Sequence, residues 1–480
     1  MKKQLMMFGP VLVFVVMSMF LAPTVYATNG MNLEGYGPIA TGMGGASMAY
    51  DNGAAAVMNN PATLGLMPQG DRFDAAVGML GPNITAEMTG MPDAKSSADA
   101  FFMPAMGWVR KTGKMSYGLG MFAQGGMGTE YEATSFMSGF QSMSFGPPAN
   151  QGSANLPTRS EVSVGRLLIP VAYNVNPDLT IGGTVDFVWA SMDMKMVMGG
   201  AQMQDMIYGT KAYGTISGSM LSALGTADPD GPVNWAYFNF SDKSDFTGKA
   251  KATGFAGKIG GVYKVNKQLT LGATYHSKTW LGDLEANGAT VLMNVNPNDT
   301  VAGSIPAYNP ATTMAITGKI KIKDFQWPQT VGVGMSYEAS DKLMIAFDYK
   351  WINWAAVMKN FNISFTADDP ATGQLDATLF QNWENQNVFM LGAGYKMTSE
   401  FTIRGGLNIA NNPVPDKYMN PLFPAIEKNH VMLGAGYMVS KASSVDFSYT
   451  YAPEVKQTNG EGVTVAHSQM NAQLMYSYRF

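Results

Sequence analysis

Cysteine is absent from the 480 residues, which removes disulfides and thiolate metal ligands. Histidine is almost absent: His276, His430 and His467 stand far apart, none beside an acidic ligand motif. No metal site or cofactor is expected, and the histidines read as solvated or lumen-facing. Charge is scarce too, at 14% Asp, Glu, Lys and Arg against about 25% in an ordinary soluble protein. With 31 Lys and Arg against 35 Asp and Glu, there is no basic excess for nucleic acid. Beyond the first thirty residues no apolar run approaches the length of about eighteen needed by a membrane-spanning helix. A charge-poor chain without such helices can still cross a bilayer as a closed barrel, where every strand backbone is paired.

What the chain does have fits that class. Lys2 and Lys3 precede an apolar run from Leu5 to Leu21, then Pro23 and the small-residue end Val25, Tyr26, Ala27. This is the pattern of a secretory leader cleaved after Ala27, so the expected units are a leader over 1–27, a plug over 28–69 and a barrel over 70–480. In the last segment Met470, Ala472, Leu474, Tyr476, Tyr478 and Phe480 alternate with polar residues, broken only by Met475. One apolar and one polar face is the signature of an outer-membrane barrel strand. The aromatic end also matches the signal read by bacterial barrel assembly machinery. The same period recurs at Val445, Phe447, Tyr449; Phe401, Ile403, Leu407; Leu343, Ile345, Phe347; Leu269, Leu271, Tyr275; Ile181, Val185, Phe187; and Phe73, Val77, Met79.

Tight polar turns at 174–178, 266–268, 339–342, 398–400 and 440–442 alternate with long loops at 136–159, 199–244, 285–313, 367–383 and 411–429, as in barrels with a periplasmic and an external rim. A raw count gives fifteen strands, an odd number. Treating 316–337 as one strand with a bulge at Pro328, where the apolar phase changes from even to odd, makes it about fourteen. The expected fold is an all-β, transmembrane, antiparallel barrel.

Residues 28–69 differ from the rest: rich in Gly and Ala, nearly uncharged, without alternation. Leu33, Tyr36, Ile39, Val57, Leu64 and Leu66 give the segment apolar anchors that a flexible linker does not need. Asp51, Asn52 and Gly53 supply a turn. Pro61 biases Asn60 to extended geometry, leaving Asn59 and Asn60 to cap neighbouring backbone groups before Ala62. The reading is a plug, with a Gly-rich linker as the alternative.

Asn60-Pro61-Ala62, the stretch Asn412 to Pro415, and the hairpin from Asn429 to Tyr451 resemble the FadL family of long-chain fatty acid and hydrocarbon transporters of Gram-negative outer membranes, over essentially the whole mature chain. The resemblance implies passive uptake of a long-chain fatty acid or another hydrophobic small molecule, in an outer membrane bounded by lipid and lipopolysaccharide. A hatch moves and the cargo leaves sideways through the wall where the third strand kinks. The corresponding stretch here contains Gly125, Gly126 and Gly128, which could equally form a loop root. In this family an Arg on the fifth strand can meet a ligand carboxylate, and Met196 stands in that place. Met192, Met194, Met196 and Met198 share one phase and offer an adaptable apolar lining, unless they only reflect a chain with 39 methionines. Lys195, on the opposite phase, and Lys359 are the nearby cations. Aromatic or aliphatic hydrocarbons are therefore alternative cargoes.

A general diffusion porin is less consistent with so little charge and a forty-residue plug. Catalysis is not expected: Gly214 to Gly218 is not a nucleophile elbow, and His467 with Ser468 has no orienting acid.

Overall fold

A computed structural model describes residues 29–139, 154–223, 233–242, 244, 247–295 and 308–480. The leader expected over 1–27 lies outside them. Fourteen long strands take turns forming a ring: β1 Gly70–Glu87, β2 Phe101–Thr112, β3 Met115–Tyr131, β4 Thr158–Asn174, β5 Leu179–Gly199, β6 Ala250–Lys264 and β7 Leu269–His276, then β8 Thr330–Glu338, β9 Leu343–Ile352, β10 Gln386–Lys396, β11 Phe401–Ala410, β12 Asn429–Met438, β13 Ser443–Thr458 and β14 Thr464–Arg479. Each pairs antiparallel with the next, β5 with β6 and β7 with β8 included. Pairing of β1 with β14, from Arg72↔Arg479 to Glu87↔Thr464, closes the cylinder.

The alternation of the sequence becomes the two faces of this wall. Phe73, Val77 and Met79 on β1, Val331 to Tyr337 at odd positions on β8, and Leu474, Tyr476 and Tyr478 on β14 point outward and are exposed. Asp74, Asp348, Asn408, Asn471 and Ser477 point inward and are buried. No helix among the described residues is long and apolar enough to cross a membrane. Met475, which broke the pattern of the last strand, faces inward against Gly53 of the leading segment.

Two expectations are corrected. Residues 316–337 are not one strand bulged at Pro328. Thr313–Lys323 and β8 are separate strands, and the sheet holds twenty-two strands among the described residues, of which fourteen form the ring. The long loops are also not merely loops. From the upper end of β5 a branch leaves the ring through Val233–Asn239, Leu284–Val295, Thr313–Lys323, Asn360–Ala367, Gln374–Phe380 and Gly214–Ser217, each paired with the next. Ile316, Ile320 and Ile322 are buried within this cap. Their alternation reports a protein core, where the sequence reading took it for lipid contact.

Residues 29–67 lie against inward-facing groups from all around the ring. Asp348 on β9 accepts from the backbone N–H of Ser47 (2.5 Å) and Met48 (3.0 Å), and Asp74 on β1 from Ala54 (2.6 Å). Lys111 on β2 donates to the carbonyls of Gly65 (2.5 Å) and Met67 (2.9 Å). Arg72 pairs with Asp51 at 2.6 Å, and Ser336 on β8 donates to Ala49 O (2.9 Å). Contact is close enough that the wall needs glycine. A Cβ on Gly272 would overlap the Met48 carbonyl, on Gly392 the Met43 carbonyl, and on Gly406 the Gly44 amide. Within the segment Gly53 adopts φ +84°, and short 3-10 turns follow at Ala54–Val57 and Pro61–Leu66.

Candidate functional site

The ring has one place where neighbouring strands part. β2 pairs with β3 only from Thr112↔Met115 to Ala105↔Phe122, although β3 runs on to Tyr131 and stays paired with β4. The next residue of β2, Pro104, has no N–H to extend the ladder. In the β3–β4 pair the register shifts between Ala123 and Gly125, a bulge at Gln124 that bends the strand. The freed backbone meets the leading segment instead. Gly126 N donates to Met31 O (3.1 Å), Leu33 N to Gln124 O (3.4 Å), and Tyr36 Oη to the same carbonyl (2.8 Å). The Gln124 side chain accepts from Arg166, which pairs with Asp186 at 2.6 Å, and Lys258 holds the same carboxylate at 2.6 Å.

At this parting lies a chamber of about 300 Å³. Phe101, Met103, Phe122, Met127, Val162 and Trp189 give it an apolar wall, Gly125, Gly126 and Gly128 form its rim on β3, and Met31 to Glu34 supply its inner side. All three expected gate glycines are thus together on one edge. They differ in tolerance: a side chain at Gly125 would strike Met31 O and one at Gly126 the Val162 carbonyl, whereas at Gly128 the nearest atoms are Ser160 O at 2.9 Å and the Phe101 ring at 3.0 Å.

The methionine stripe divides between two further cavities. Met192 and Met194, both buried, join Met31, Val162, Met358, Phe361 and Phe423 around an inner void of about 20 Å³. Met196 and Met198 line an outer groove of about 110 Å³ with Tyr213, Leu379, Tyr418 and Glu461. The groove and the void share Leu379, Gln381 and Asn420; the void and the chamber share Met31 and Val162. The two lysines do not take part. Lys195 is buried on the other face of β5, Lys359 is exposed, and neither lines any of these three cavities. The phase of a regular strand explains the first; Lys359 is exposed just before Asn360–Ala367, while its neighbour Met358 turns to the void.

Asn59 and Asn60 cap backbone groups as their positions suggested. Asn60 Oδ1 accepts from Ala62 N (3.1 Å) at the start of Pro61–Leu66, while Nδ2 donates to Met48 O (2.8 Å) and to Gly261 O on β6 (3.2 Å). Asn59 Nδ2 donates to Tyr36 O and to Asn52 Oδ1, both at 3.0 Å. His276 Nε2 lies 3.0 Å from Asn59 O. None of Asn59 to Ala62 lines a cavity. His430 and His467 face inward as one of the two readings held, but are buried by packing and not solvated.

Several lining residues were missed. Phe423 came from a stretch read as an external loop, Phe325 from the stretch read as one bulged strand, and Met358 and Phe361 from a stretch given no reading; an apolar ring inside a Pro-rich loop is the signal that could have found Phe423. Residues 411–428 fold into the mouth of the cylinder: Tyr131 donates to Pro421 O (3.0 Å), Thr129 to Leu422 O (3.1 Å), and Ser160 also to Leu422 O. Above the leading segment Trp327, Trp354 and Trp383 stack edge to face at 5.6 and 5.2 Å.

Comparison with known proteins gives a coherent picture. A family model described as outer membrane protein transport protein (OMPP1/FadL/TodX) matches residues 19–477. Outer membrane protein P1 of Haemophilus influenzae is 23% identical over 461 residues, covering 90% of this chain and 89% of its own. An uncharacterized protein of Chlorobium limicola is 41% identical over 105 residues, 22% of this chain, so the match spans about half (51%) of that relative's length. Among solved structures, the toluene transporter TodX of P. putida superposes with a TM-score of 0.79 at 27% identity, over 94% of this chain and 99% of that one. The toluene transporter TbuX of Ralstonia pickettii gives 0.75 at 30% identity, with the same shares covered.

Proposed function

Because the chain belongs to the OMPP1/FadL/TodX family of outer membrane transport proteins, we propose that it takes up small neutral lipophilic molecules and releases them sideways through its wall. The observation that carries this reading is the series of cavities with shared linings, from the outer groove through the methionine void to the chamber at the parting of β2 and β3. Such a route has a physical purpose. A methylene prefers an apolar surrounding by about 0.8 kcal/mol, so a water-filled pore opposes the passage of an oily solute at each step. A dry path that opens into the bilayer does not.

The same geometry supports a division of work between parts of the leading segment. Asn59 to Ala62 are held on several sides and act as the anchor of the hatch. The stretch from Asn29 to Glu34 stands between void and chamber, and the side chain of Met31 is the moving part: unbranched and flexible, it can swing without breaking the hatch. A long-chain fatty acid is the second reading, supported by the family name, but neither inner cavity offers its carboxylate a Lys or Arg. Uptake of radiolabelled toluene and oleate by cells carrying the wild type or Gly128→Phe tests the route. Reduced toluene uptake with a normally folded barrel supports lateral release. Unchanged uptake removes it. Gly126→Arg is the poorer test, because its side chain meets the backbone of β4.

A further inference from the structure

Within residues 28–69 only Glu34 and Asp51 carry charge, and the structure treats them differently. Asp51 is neutralised by Arg72. Glu34 is buried, with 2% of its surface exposed, and has no cation. Its Oε1 accepts from Asn471 Nδ2 at 2.7 Å. Its Oε2 takes no hydrogen bond among the described residues and is not sealed in by protein atoms, while the residue lines the lateral chamber. A buried carboxylate oxygen with no donor in front of it is costly unless something supplies one.

The strand that carries Asn471 also brings His467 to the chamber. His467 also lines it, with Nδ1 3.1 Å from the Pro424 carbonyl. A carbonyl can only accept, so Nδ1 carries the proton and Nε2 is a lone-pair acceptor. That Nε2 has no partner among the described residues but is sealed in by protein atoms, so it is not open to the chamber. The chamber's other carboxylate, Glu161, is paired with Arg159 at 2.6 Å, and no Lys or Arg lines the space. A chamber with a mainly apolar wall, lined also by Asn32, Ser163 and Gln469, therefore presents one open acceptor at Glu34 Oε2 and offers an anion no Lys or Arg.

From this we infer that the lateral chamber selects neutral lipophiles bearing one hydrogen-bond donor, of the phenol class, with Glu34 Oε2 as the acceptor that reads the hydroxyl. This rests on the transport reading above and narrows it. A hydroxyl of the cargo occupies the position that Asn471 leaves open, and the ring rests among Phe101, Met103, Phe122 and Trp189. A hydrocarbon of equal shape fits but leaves the carboxylate unpaired. A benzoate adds a like charge.

Calorimetric titration of the purified protein in nanodiscs, referenced to empty nanodiscs, with 4-ethylphenol, ethylbenzene and 4-ethylbenzoate tests this. The expected order is phenol, hydrocarbon, carboxylate, with the phenol bound roughly tenfold tighter than ethylbenzene. E34Q is the informative variant. Asn471 retains the amide oxygen and the amide NH2 turns to the chamber, so the phenol loses its advantage and 4-ethylacetophenone gains one. That gain also certifies a folded protein. Equal binding of phenol and ethylbenzene by the wild type, or a phenol preference unchanged in E34Q, overturns the assignment of Glu34 while leaving lipophile transport standing. Failure of the wild type to bind any of the three overturns both.

Discussion

The two ends of the leading segment meet the same wall on different terms. From Met43 to Met67 it is fixed by inward side chains of many strands and by glycines that let backbone touch backbone, as at Gly272, Gly392 and Gly406. From Asn29 to Glu34 it lies along a strand edge that has lost its partner, joined to β3 by two backbone hydrogen bonds at 3.1 and 3.4 Å. The first end behaves as part of the barrel's core. The second behaves as a replaceable edge, and it is the one that borders open space. A stopper need not move as a whole when one margin of it can yield.

The largest effect expected from testing this contrast is at the anchored end. Gly406→Val has no space for its side chain against the Gly44 amide; the hatch should be displaced, giving large steady currents in planar bilayers where the wild type gives none. Asp348→Ala leaves two backbone donors unpaired and should cost roughly 3 kcal/mol, read as a lower temperature for the folded-to-unfolded band shift on gels, with conductance unchanged. At the open end, Gly128→Phe should reduce toluene uptake about tenfold, as a 1.4 kcal/mol barrier would, with that transition temperature unaltered. Met31→Ala should raise uptake by about two- to threefold by removing the flexible partition, as a barrier lowered by about 0.5 kcal/mol would; a decrease would mean that Met31 is a contact for cargo and not a barrier. Lys359→Ala should change neither toluene nor oleate uptake, because Lys359 borders none of the three cavities on the route.

Much of the wall was legible because a bilayer and a filled lumen impose a strict period of two. Val331 to Tyr337 and Met470 to Tyr478 declare their lipid faces residue by residue. The cap was not legible for the same reason. Ile316, Ile320 and Ile322 alternate just as cleanly against a protein core, and periodicity cannot say which apolar medium a face meets. Gly125, Gly126 and Gly128 were singled out through family resemblance, but their place beside a missing β2–β3 ladder is something no local pattern records. The methionine stripe was visible as a stripe, though not that it spans two cavities. The inner-wall glycines of β7, β10 and β11 passed as ordinary strand residues. Their requirement comes from a backbone hundreds of positions away. Residues 411–428 hid their inward fold because it is their carbonyls, common to every sequence, that Tyr131, Thr129 and Ser160 hold.

The seam between β1 and β14 ties the wall to its own filling. Asp71 N donates to the carbonyl of Phe480 at 2.8 Å and Phe480 N returns the bond at 3.1 Å, so the pair that closes the ring stands four residues after Met67. A strand pulled out of register at that seam would therefore drag on residues 29–67 as well, and the closure of the cylinder and the seating of its interior share one fastening.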